Sequence, residues 1–563
     1  MEFGKNGDLM RKVILGVFTL SLGIIIGAFV QPTQSADGVY GNLEKFKTVF
    51  NTAFRNYVED VDANALTEKA IEGMLSELDV HSVYIPPEQK KKVDEDFQGH
   101  FHGIGVQFDM LEDSITVISP LSGGPSQKLG ILAGDKIVKI DGENAVGIPR
   151  SDVPKRLKGP KGTLVTVDIY REGEEELLHF EITRDKIPDW SLDSKFMLEG
   201  TDIGYMSFNR FSATTHEEMM KAVSELSAQG MKKMILDLRG NPGGFLNQAY
   251  YMANEFLPKG DTIVYTNGRR KAFNETYISQ TNGQLTDIPL IVLVDRGSAS
   301  ASEIVSGSIQ DLDRGIIAGE TSFGKGLVQR QYPLEDGSAF RITISYYYTP
   351  SGRSIQRPFK DKDKYRNLVG RLDLEEGFHF NQDDIKGKIV ELMKENKEDG
   401  EEEAFNPDSL PIFQTKGGRT VFGGGGITPD YIVKRDTTKL QNMTVEYRKK
   451  RLMTIFADKW LKEDSGLKFR EKYENDFNAF YNDFTLSNSD WEEFKEIGES
   501  KGIEWVEEDF EIDNSYIQTH IKADIANIVW TRHESRKVWT AIDRQLKNSI
   551  KLFPEAERIL SMN

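Results

Sequence analysis

The chain has no cysteine among its 563 residues, so disulfides, thiolate metal sites and a cysteine nucleophile are all excluded. A basic excess is missing too, because 71 Lys and Arg stand against 89 Asp and Glu, for a formal charge of -18. A nucleic-acid binder would show a basic domain, and electrostatic adsorption to anionic lipid would need one as well. Apolar residues are only 38% of the chain, but its 50 glycines bring the total into the ordinary globular range. Wholesale disorder and a collagen-like chain are excluded. The length leaves room for several domains and a large core.

Long apolar runs are scarce, and residues 13–30 (VILGVFTLSLGIIIGAFV) are the one exception. They follow Lys5, Arg11 and Lys12, the charged-then-apolar order of an export signal. The run is also long enough to span a bilayer as a helix. Residues 1–36 therefore read as an export signal, either cleaved or kept as an inner-membrane anchor. Positive charge ahead of the run puts everything after residue 31 outside the cytoplasm, in the periplasm or beyond.

The periodicity then divides the chain. Residues 37–95 read as helical: Leu43, Phe46, Val49, Phe50, Phe54 and Val58 form an amphipathic stripe, and Pro86-Pro87 ends the region. Residues 96–187 read as short strands between turn signals, a small β-rich module. Within it, Gly103-Ile104-Gly105-Val106 either forms an anion-holding nest of backbone N–H groups or simply marks a strand bend. Residues 188–360 alternate strands and helices, the pattern of an α/β core. Thr215-x-x-Glu218 reads as a capping box there. Met234–Leu238 and Leu290–Val294 read as strands buried on both faces, and ligands gather where such strands end. Residues 361–415 form an acidic insertion, 416–435 return to the core, and 436–563 read as a helical domain with an aromatic core stripe.

The loops after the two buried strands, Arg239–Gly244 and Asp295–Glu303, carry the chemistry-bearing residues. Gly319–Gly326 nearly matches a phosphate loop, but Gly326 stands where a magnesium-binding hydroxyl is needed, and a strand follows instead of a helix. Ser298, Ser300 and Ser302 precede a helix start whose N–H groups can stabilise an oxyanion. No histidine completes a familiar triad order. The remaining candidate base is Lys325, which could accept a serine proton only if burial keeps it neutral. On local context alone, an exposed lysine in a glycine turn is the better reading of Lys325.

Several segments together resemble the carboxyl-terminal processing peptidases, or tail-specific proteases. They are Leu78–Ser82, Gly103–Gly105, Leu236–Gly244, Gly297–Glu303, Gly324–Gly326 with Gln329, Tyr348–Ser354 and Gly423–Asp430, in the family's order. The resemblance implies a multidomain α/β serine peptidase with an embedded PDZ domain at 96–187 and a core at 188–360. It implies Ser300 as nucleophile, Lys325 as base 25 residues later and Gln329 as the residue holding the lysine. Backbone N–H groups of Ala301 and of Gly243 or Gly244 are the implied oxyanion donors. Gly103, Ile104, Gly105 and Val106 are the implied carboxylate loop for a substrate's tail, which would add to the module as a strand. Neither metal nor cofactor is implied. The expected partners are proteins with exposed apolar C-termini, not nucleic acid. The membrane is a further partner if the signal stays uncleaved, and the helical domain could join copies of the chain or dock an adaptor. Val80 replaces the proline the family pattern places before His81, a position expected to touch no catalytic role.

Overall fold

The computed structural model describes residues 38–121, 123–357 and 412–562. The apolar run at 13–30 and nearly all of the acidic insertion lie outside the described residues. Among the described residues, no helix is long and apolar enough to cross a membrane.

The chain divides into two compact units, with the boundary between Glu77 and Leu78. In the first, the helices Val39–Asn56 and Ala63–Ser76 are described, and Asp62 caps the second through the N–H groups of Asn64 and Ala65. The apolar stripe Leu43, Phe46, Val49 and Phe54 of the first helix is exposed. Pro86-Pro87 does not end a helical region, as expected, because Val83–Ile85 before it is a strand and Pro87 opens the helix Pro87–Gln98. Proline at the first helical position has no N–H to lose and a φ already set for the helix.

The second unit is built on a six-stranded sheet. Its order is Leu192–Met197, Ile203–Phe208, Lys233–Asp237, Leu290–Val294, Ile316–Gly319 and Tyr431–Ile432. Only the first pair is antiparallel. Both faces are covered, which explains the near-continuous apolar strands. Met234, Leu236, Val292 and Val294 pack with the helices Thr215–Ala228, Leu246–Asn254 and Ala301–Asp311. Ile235, Ile291 and Leu293 face the other way and meet Leu546, Phe553, Ala556 and Ile559. Those four residues come from the last two helices, Arg544–Ile550 and Phe553–Leu560. The helical region after residue 436 is thus divided: its aromatic cluster around Phe456, Trp460, Phe469 and Phe480 forms its own core, while its final helices complete the peptidase-like sheet.

Thr215 and Glu218 do not form the expected capping box. The N-cap is Thr214, and the Glu218 carboxylate instead accepts bonds from Ser191 Oγ and Leu192 N–H, each 2.8 Å. A tertiary tether has taken the place of the local cap.

A second, antiparallel sheet surrounds the strand Ala339–Tyr348, which pairs with Val83–Ile85, Thr262–Asn267 and Leu327–Pro333. The small β-module has the strand order Val106–Leu111, Ser114–Pro120, Lys136–Ile140, Leu164–Tyr170, Leu178–Thr183. Its two ends lie side by side as an antiparallel pair, His100–Gly103 with Asp185–Pro188.

Candidate active site

The strands Lys233–Asp237 and Leu290–Val294 are neighbours, so the loops that leave their C-terminal ends lie side by side. Hydrogen bonds knit the two loops together. Ser298 Oγ donates to Leu238 O (2.8 Å), Ser302 Oγ to Asn241 O (2.9 Å) and Ala299 N–H to Asn241 O (3.0 Å). Two of the three alternating serines are therefore buried and committed to backbone carbonyls, leaving Ser300 as the one that lines a cavity. Ser300 sits at the start of the helix Ala301–Asp311 with φ 55° and ψ -110°, a conformation that L residues seldom adopt. Such strain persists where the surroundings enforce it, and it collects at functional positions.

Glu303 supplies that enforcement. It is fully buried and accepts four bonds: from Ser300 N–H (2.8 Å), Lys325 N–H (2.9 Å), Gly324 N–H (2.6 Å) and Ser322 Oγ (2.5 Å). Burial pushes its pKa up, and the bonds from Ser322 and the three backbone donors oppose that rise. One carboxylate thus joins the Ser300 turn to the loop that carries Lys325. Tyr347 adds a second link, its hydroxyl lying 2.9 Å from Lys325 O and 3.1 Å from Ser300 O.

Lys325 lines the same cavity, of about 910 Å³, as Ser300, Gln329, Gly243 and Gly244. Its Nζ donates to Gln329 Oε1 (2.8 Å), and Gln329 Nε2 in turn donates to His81 O (2.6 Å). Burial pushes Lys325 down to about 8, the positive charge of Arg341 adds to that, and Glu303 and Asp79 oppose it. Among the described residues no hydrogen bond joins Ser300 Oγ to Lys325 Nζ. Catalytic hydrogen bonds are often long before substrate arrives and tighten with it.

The two glycines named from the sequence separate here. Gly243 N–H is taken by Asn241 Oδ1 (2.9 Å), so it is not free to meet an oxyanion. Phe211 N–H bonds to Gly243 O and Phe245 N–H to Phe211 O, a parallel bridge centred on Gly244. That pattern turns Gly244's own N–H to the other side. Among the described residues, Gly244 N–H and Ala301 N–H carry no hydrogen bond.

In the β-module, Gly103 ends one strand and Val106 begins another, with Gly105 between them at φ +75°. Ile104 is buried in the module's core. Its carbonyl accepts from Ser126 N–H and Oγ, while Gly105 O accepts from Leu121 N–H. The strand Val106–Leu111 lies at the edge of its sheet.

Comparison with known proteins fits this geometry. Residues 202–363 match peptidase family S41, 103–182 match the PDZ domain, and 28–89 match the activating protease CtpB N-terminal domain. Residues 449–531 match a family of unknown function. The carboxy-terminal-processing protease of Bartonella bacilliformis is 38% identical over 399 residues, covering 67% of this chain and 91% of that one. The carboxy-terminal processing protease CtpB of Bacillus subtilis is 31% identical over 420 residues, covering 72% and 85%. A solved structure, the photosystem II D1 C-terminal processing protease, is 29% identical with a TM-score of 0.32, over 56% of this chain and 85% of that one. The chain belongs to the carboxyl-terminal processing peptidases. It is a serine-type endopeptidase that processes C-termini and carries a PDZ domain.

Three residues of this candidate site in the processing peptidase escaped the sequence reading. Glu303 was legible in principle, because Ser300-x-x-Glu303 has the spacing of a capping box before a helix. His81 and Tyr347 act through a carbonyl and a hydroxyl brought in from far along the chain, and no local pattern announces them. Val80 was expected to touch no catalytic role, and it is its neighbour His81 whose carbonyl accepts the bond from Gln329.

Proposed function

We propose that Ser300 is the nucleophile and Lys325 the general base of this peptidase, with Gln329 orienting the lysine. The observation that carries the reading is a half-buried lysine, held by Gln329, in the cavity that Ser300 lines. Lys325 with its pKa near 8 is substantially neutral at mildly alkaline pH, and neutral amine is what a base must be. Neutral Lys325 takes the Ser300 hydroxyl proton as Oγ attacks the scissile carbonyl. The tetrahedral oxyanion accepts bonds from Ala301 and Gly244 N–H, helped by the positive end of the helix Ala301–Asp311. Protonated Lys325 gives its proton to the leaving amine, and water then hydrolyses the acyl-enzyme by the same base.

Substrates on this reading are proteins with exposed apolar C-termini. The tail adds as a strand beside the edge strand Val106–Leu111, with its carboxylate at Gly103–Val106. The reading includes export, which rests on residues 13–30, and a tagged chain recovered only from the cytoplasm would reject it. The decisive test of the chemistry is Ser300→Ala. Incubated with an unfolded protein ending in an apolar tail, this variant is expected to leave the substrate intact and to keep its thermal transition. Cleavage at the wild-type rate removes Ser300 from the reaction.

A further inference from the structure

Arg341 lines the cavity that holds Ser300 and Lys325, yet nothing in the proposed chemistry uses it. It stands on the strand Ala339–Tyr348 directly opposite Gln331, two residues beyond Gln329 on the paired strand. The only side-chain hydrogen bond it makes among the described residues runs from Nη2 to Gln331 Oε1, 3.0 Å. A guanidinium has five N–H donors, so most of this one's are unused. Its flat face lies 5.7 Å from the Phe97 ring centroid, which supports the cation without neutralising it.

Several other arginines of the core have carboxylate partners. Arg210 pairs with Asp189, Arg239 with Asp237 and Asp543, Arg296 with Glu320 and Arg353 with Asp311. Among the described residues Arg341 has none. Asp94, which also lines the cavity, is already engaged by Lys90 (2.6 Å) and by Gln331 Nε2 (3.3 Å). Gln331 thus stands between the cation and the nearby carboxylate, one end of its amide to each. Burial holds Arg341 below the usual arginine range, and the charge of nearby Asp94 opposes that only in part.

A half-buried guanidinium that keeps its fork free and faces a peptide-binding cavity is built for a carboxylate. We propose that Arg341 is a specificity-determining residue that binds a carboxylate of the peptide lying across Ser300. That carboxylate is either an acidic side chain near the scissile bond or a free chain terminus. The proposal rests on the reading of Ser300 and Lys325 as the reacting pair, since that reading makes the cavity the place where the peptide is cut.

The test uses the full chain and sets of quenched-fluorescence peptides. One pair differs by Glu or Gln beside the scissile bond, and another by a free or an amidated C-terminus. The quantity read is the ratio of kcat/KM within each pair, for the wild type, Arg341→Met and Arg341→Lys. Wild type is expected to favour one carboxylate member about tenfold or more, mainly through KM, as for a charge-assisted bond. In Arg341→Met that ratio is expected to fall towards one, and in Arg341→Lys to keep an intermediate value. Which pair responds identifies the source of the carboxylate. A free-terminus preference that survives in Arg341→Met belongs to the PDZ groove, and counts against Arg341. Equal cleavage of both pairs by wild type, which needs no variant to fold, overturns the proposal outright. Failure of the underlying reading looks different: Ser300→Ala would still cleave, whatever the ratios.

Discussion

A lysine that must accept a proton near neutral pH has to be kept from the water that would charge it, and then aimed. In the proposed mechanism burial does the first for Lys325, and Gln329 does the second through a neutral amide. The neutrality of that partner is essential, because a carboxylate in its place would stabilise the ammonium. Activity is accordingly expected to require unprotonated Lys325. Below pH 8 kcat/KM should fall about tenfold per unit, with an apparent pKa of about 8, and above it should level off. Gln329→Glu is expected to move this limb upward by at least about one unit, costing about tenfold at pH 7 and little at pH 10. Gln329→Leu should lower the whole profile without moving it. Profiles of kcat/KM from pH 5.5 to 10 for the three proteins decide this. A limb unmoved by Gln329→Glu would mean that the lysine is not the titrating base. At this scale the sequence brought Ser300 and Lys325 forward as candidates, but their proposed roles came from the family resemblance rather than from local pattern. It was least informative where a residue serves through a backbone atom, as His81 does.

Elements place these residues by pressing loop against loop. Strands such as Leu290–Val294 were readable because burial on both faces leaves an unbroken apolar run. The contact between the loops that follow was not readable, since it depends on the register of neighbouring strands. Its tightness shows at Gly243, with φ +97°, where an added Cβ would lie 2.7 Å from Ala299 O and 2.8 Å from Ala301 N. No real side chain tolerates such distances, so Gly243→Ala must push the Ser300 turn away from the Gly244 turn. The unpaired N–H groups of Gly244 and Ala301 would then shift relative to each other. Loss of about 100-fold in kcat/KM is expected, carried by kcat, the size seen when one oxyanion donor is removed. Because the strain is local, the change in thermal transition should be only a few degrees. Steady-state kinetics at wild-type level would show that the turns do not need this contact.

At the scale of the whole molecule, the aromatic stripe after residue 436 was legible as core, but its neighbours were not. The final helices return to the peptidase sheet, and the helical region also seats the PDZ domain. That second contact is largely ionic. The Asp109 carboxylate, on the edge strand of the PDZ domain, pairs with Arg150 of the same domain and with Arg451, whose φ of 58° begins the helix Leu452–Trp460. Lys501 Nζ meets Glu112 Oε1 at 3.0 Å, and the helix Glu507–Val529 packs on the strand Ser114–Pro120. Asp109 is the best shielded of these charges, its side chain 13% exposed, so water and salt weaken it least. Lys501 and Glu112, at 41% and 54%, contribute little by themselves. The seat should therefore depend on Asp109. A chain without cysteine makes that measurable, since Glu112→Cys with Lys501→Cys introduces the only two thiols. With a short bismaleimide, these are expected to cross-link rapidly in the otherwise unchanged protein. Adding Asp109→Ala leaves two arginines uncompensated across the contact, and is expected to slow cross-linking about fivefold or more. Equal rates in the two backgrounds would show that apolar packing of the helix Glu507–Val529 holds the PDZ domain without help from charge.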